Sequence, residues 1–78
     1  MVAYRLDELL PPDGLEAVAL FREELKAGNF KGEHYLDIHT NLRARLEPFK
    51  QHLADKGMVD IDFFVIVLLT RLGVNEFQ

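Results

Sequence analysis

The stretch Asp60-Ile61-Asp62-Phe63-Phe64-Val65-Ile66-Val67-Leu68-Leu69-Thr70-Arg71-Leu72-Gly73 decides the fold. Two structures compete for it. Val59 to Phe63 alternates apolar and acidic residues, and the run that follows is rich in β-branched side chains, both strand features. No second stretch of the chain carries a strand pattern to pair with it, and a lone strand is unstable. As a helix, the segment has Asp60 or Asp62 to cap its start and Gly73 to stop it. The helical reading is therefore taken for residues 61–72. From Phe63 to Leu69 it contains no polar position, so about two turns are apolar on every side, as in a core helix or an interface helix.

The segments upstream are helix-sized and separated by Pro11-Pro12, Gly28-Asn29, Gly32, Pro48 and Gly57. Asp13 followed by Glu16 has the form of a capping box. Leu15, Val18, Phe21 and Leu25 then mark one apolar stripe, predicting a helix over 13–27 that stops at Gly28. Tyr35, Ile38, Leu42, Leu46, Phe49 and Leu53 are spaced by threes and fours, close to a heptad seam, predicting a helix over 33–56. Pro48 inside it must kink or split that helix. The unbroken stripe favours one kinked helix. Leu6, Leu9 and Leu10 give the N-terminal arm an apolar side, and Pro11 ends any helix there. The fold class expected is all-α: one small domain, a bundle of three main helices with a short N-terminal arm or helix.

A chain of 78 residues buries only about 60% of its unfolded surface, the range in which single cores are marginal. With 49% hydrophobic residues and no Cys, folding relies on apolar burial without a disulfide or a thiolate metal site. Two long helices can cover only two sides of an all-apolar third. The remaining side needs the N-terminal arm or another chain, since soluble monomers rarely expose large apolar patches. A homodimer or a protein partner is expected. The predicted contact residues are Leu6, Leu9, Leu10, Phe64, Val67, Leu68, Val74 and Phe77. The function this implies is a protein-interaction or dimerisation module, such as an adaptor or a small regulatory subunit.

Charge limits the other classes. The net charge is -4, and it is uneven. Residues 1–28 carry three basic and six acidic groups (-3), residues 29–57 five and four (+1), and residues 58–78 one and three (-2). An acidic total argues against general nucleic-acid binding. The one basic concentration, Arg43, Arg45, Lys50, His52 and Lys56, is diluted by Glu47 and Asp55 and reads as a charged outer face. A transcription-associated role through Arg43, Arg45, Lys50 and Lys56 is the second reading.

Glu33, His34, Asp37 and His39 suggest a third, a metal- or ligand-binding bundle. The two imidazoles are five residues apart, roughly 140° around a helix, unlike the converging i, i+4 pair of metalloproteases. No metal and no cofactor is expected. There is no Ser or Cys, Thr40 and Thr70 have no evident base, and no phosphate loop is present, so no enzyme activity is expected. The longest apolar run has seven residues where a membrane span needs about 20. Met1 to Leu10 lacks the apolar region of a signal peptide. The chain is expected to be cytoplasmic.

Val65 to Asn75 resembles the turn of helix-turn-helix DNA-binding proteins, with Gly73 making the turn, Val74 as its apolar plug and Asn75 as a helix cap. The likeness covers about eleven residues and no recognition helix follows them. The stretch is read as a helix stopped by glycine.

Overall fold

The structure, a computed structural model, describes residues 5–74, and every regular element among them is helical. The order is α1 (Leu6–Leu9), α2 (Pro12–Lys26), α3 (Tyr35–Leu46), a 3-10 turn (Glu47–Phe49), α4 (Lys50–Asp55) and α5 (Ile61–Arg71). No helix among the described residues is long and apolar enough to cross a membrane.

The decisive segment is α5. Asp60 caps it, accepting a hydrogen bond from the Phe63 backbone N–H at 3.1 Å. Asp62 has another role: it accepts from Arg43 Nε at 2.8 Å, tying the start of α5 to α3. At the other end Gly73 adopts φ 85°, which lets the Val74 N–H return to the Leu69 carbonyl at 2.8 Å and close the last turn.

α2 begins earlier than the sequence suggests. Pro12 occupies its first turn and Pro11 is the N-cap, with no side-chain capping bond. Asp13 therefore lies inside the helix, beside its positive end, and does not cap it. Pro is suited to that position because its missing N–H would have had no partner.

The middle segment splits at Pro48. α3 ends at Leu46, the chain tightens into the 3-10 turn, and α4 follows. This replaces the single kinked helix favoured by the stripe. Pro48 has no N–H for the Ala44 carbonyl and its ring crowds that carbonyl. Glu47 and Lys50 nevertheless keep right-handed backbone angles, while Leu46 and Phe49 depart from regular helical values, and the apolar stripe survives the break. Ile38, Leu42, Leu46 and Leu53 are all buried, with Tyr35 and Phe49 half-buried beside them.

α3 packs against both α2 and α5. Its joint with α2 is built on Phe21, which is fully buried. The Phe30 ring lies 4.9 Å away at a tilted angle, and the Arg45 guanidinium sits 5.3 Å from the Phe21 centroid. α1 is held to α2 by a close approach at Gly14. A Cβ there would come within 3.0 Å of Leu10 Cδ2 and 3.2 Å of Leu10 Cβ, so a larger residue would push Leu10 back by a few tenths of an ångström. Leu9 and Leu10 are consequently part of the core.

Candidate interaction surface

The register of α5 determines what it leaves exposed. Ile61, Phe64, Val65, Leu68 and Leu69, at i, i+3, i+4, i+7 and i+8, are buried. Phe63 and Ile66, on the opposite side, are 48% and 44% exposed. Val59, four residues before Phe63, is exposed as well, and Val67 at the edge is half-buried. Thr70 continues the stripe. Its hydroxyl donates to the Ile66 carbonyl at 2.9 Å within the helix, which spends the side chain's one hydrogen-bond donor on its own backbone. Two further large apolar residues, Leu20 on α2 and Leu36 on α3, are exposed.

The predicted contact residues divide accordingly. Leu9, Leu10, Phe64 and Leu68 lie inside the chain's own core and are not available to a partner. Leu6 and Val74 are half-buried against that core, and Val67 flanks the exposed stripe. Phe77 lies outside the described residues. Phe63, Ile66 and Val59 are not among the contact residues that the sequence predicts. A signal for them existed. Asp62, Ile66 and Thr70 are spaced by four, so the two polar residues mark the outer face on which Ile66 sits.

The charged candidates do not converge. Arg43 is held by Asp62 and by Glu47 Oε2 at 2.9 Å. Both terminal nitrogens of Arg45 donate to Glu24, each at 2.8 Å, and its Nε donates to Asn41. Two of the four basic residues named for nucleic-acid contact are thus engaged within the chain, leaving Lys50 and Lys56 exposed. Glu33, His34 and Asp37 are exposed and His39 is half-buried, its ring 6.3 Å from that of Tyr35. Among the described residues no three His, Asp or Glu side chains are placed to hold a metal ion.

Compared with known proteins, the chain matches no family model, no curated protein and no solved structure. Its own surface is what bears on function.

One electrostatic feature is structural. The paired hydrogen bonds from Arg45 hold the Glu24 carboxyl below its ordinary value, with a smaller charge attraction in the same direction and partial burial opposing both. Reciprocally, Arg45 is raised. Because the folded value of Glu24 is depressed, its contribution is complete above the unfolded value and is lost as pH falls through the folded one. Stability should therefore decline on acidification below the carboxylate range, and Glu24→Gln should flatten that decline. Urea midpoints measured from neutral to acidic pH check this. Identical acid limbs in the two proteins would show that the pair does not contribute to it.

Proposed function

We infer that the chain is a self-associating interaction module, working through the face of α5 that carries Phe63 and Ile66, with Val59, Val67 and Thr70 around them. The observation that supports this is the pairing of two large apolar side chains, each about half exposed, on one stripe of a helix whose other side already forms the core. A two-fold pairing of this stripe with its copy is self-complementary: Phe63 of each chain meets the neighbourhood of the other's Ile66. A module of this kind fits an adaptor or a small regulatory subunit acting in the cytoplasm, and involves no catalytic step.

Magnitudes set the strength. Each half-exposed side chain contributes on the order of 1 kcal/mol when covered. Association costs several kcal/mol before any gain appears. A stripe this short therefore supports weak, concentration-dependent pairing, to be sought from about 10 µM to about 1 mM. Sedimentation equilibrium over that range should show the mass rising from 9.0 kDa towards twice that value. Phe63→Asp with Ile66→Asp should keep the helical circular dichroism and abolish the rise. A wild-type chain that stays monomeric throughout, or a double variant that associates equally well, would sink the proposal.

A further inference from the structure

A second surface lies between α2 and α5, beside α1. It is an open groove with two lobes of about 390 and 190 Å³ that share Leu6, Arg22, Arg71 and Leu72. Leu15, Val18 and Leu68 complete the smaller lobe, and Leu25 and Lys26 the larger. The floor is thus aliphatic and the rim carries three cations, Arg22, Lys26 and Arg71, all exposed. None of the three has an ion-pair partner among the described residues, whereas Arg5, Arg43 and Arg45 all have one. In a chain with 13 acidic and 9 basic side chains, this is a local inversion of charge.

Two of the cations are partly offset. Lys26 and Arg71 are the last residues of α2 and α5, and each helix end carries roughly half a negative charge. The two ends cancel about one of the three positive charges, so roughly two remain for a ligand.

We propose that this groove binds an acidic amphipathic helix of a partner protein. Apolar side chains one turn apart enter the two lobes, and carboxylates face Arg22, Lys26 and Arg71. Arg22 and Lys26 are themselves one turn apart, with a rise of about 6 Å, the spacing of carboxylates at i and i+4 on a facing helix. A single-headed anionic amphiphile offers one charge to this rim and leaves its tail wet in an open groove. A nucleic acid satisfies the cations and leaves the aliphatic floor uncovered. The acidic helix answers both features. The groove adjoins the self-association stripe at one edge, where Arg71 is one turn from Val67, but it is centred elsewhere: Arg71 is five residues from Ile66, about 140° around α5.

The test is selection of helix-length random peptides displayed against the full chain, with phosphatidylserine vesicles as a parallel probe. The expected consensus has Leu, Ile or Phe at three- and four-residue spacing, interleaved with Asp and Glu. A synthetic consensus peptide should shift the amide resonances of Leu6, Leu15 and Leu72. Arg22→Glu with Arg71→Gln changes only exposed side chains, and should weaken binding about tenfold or more, as should high salt. Phe63→Asp should leave peptide binding unchanged. The proposal is overturned by no enrichment, by a basic or uncharged consensus, by shifts at Phe63 and Ile66 with none at the groove, by unaltered affinity in the double variant, or by vesicle binding without peptide binding.

Discussion

Val65→Asp should unfold the chain while Ile66→Asp, one residue later, should leave it folded. The two positions lie about 100° apart on α5. Val65 is fully buried and Ile66 is 44% exposed. Among the described residues the buried set contains no polar or charged side chain, so an aspartate at 65 finds no partner there. Burying an unpaired carboxylate, or protonating it to avoid doing so, costs several kcal/mol. A folded chain of 78 residues has a total stability of about 4–12 kcal/mol, so that loss consumes most of it. At Ile66 the carboxylate stays in water, and the change costs only about 0.5–1 kcal/mol in helix propensity and partial contacts. Urea denaturation followed by circular dichroism, at concentrations too low for self-association, separates the two. If both variants unfold, α5 is enclosed on every side and Ile66 is not a surface residue. If both stay folded, Val65 is not in the core.

This contrast marks the limit of what the sequence carries. The helical state of 61–72 was legible because the segment had cap, stop and no strand to pair with. Its orientation was not, because seven consecutive apolar residues have almost no preferred side. Phe64, Val67 and Leu68 were therefore expected at a partner interface on apolar character alone, and Phe64 and Leu68 are core residues. The information lay at the ends of the run, in Asp62 and Thr70. The middle segment shows the converse. Its stripe from Tyr35 to Leu53 was read correctly because charged residues interrupt it at regular intervals, but a stripe reports which side faces inward and not whether the hydrogen bonds are continuous. A 3-10 turn at Pro48 preserves the first and breaks the second. The groove between α2 and α5 was illegible for a different reason: Arg71 is some 45 residues from the Arg22–Lys26 pair in sequence, and only packing brings them together around Leu6 and Leu72.

Phe21→Ala should be the most damaging truncation on the α2 side, at about 3–5 kcal/mol. Phe21 is fully buried in the joint between α2 and α3, and three separate interactions meet at its ring. The first is burial itself, because Phe21 and Val18 are the two hydrophobic side chains that α2 buries in the core. The second is the tilted contact with Phe30 at 4.9 Å, which fixes the connection between the two helices. The third is the guanidinium of Arg45, held over the ring while Glu24 on α2 accepts both its terminal nitrogens. Removing the ring leaves a cavity beside a cation. Phe21→Leu keeps most of the volume and loses only the aromatic contacts, so it should cost about 1–1.5 kcal/mol. At about 4–8 °C per kcal/mol for a domain of this size, the alanine variant should melt some 20 °C lower and the leucine variant less than about 12 °C lower. The Glu24-dependent part of the acid limb should persist in Phe21→Leu, because the Arg45–Glu24 pair does not pass through the ring. A loss below about 1 kcal/mol for the alanine variant would mean that α2 is held by the ion pair and the arm, and that the Phe21 ring is not the joint.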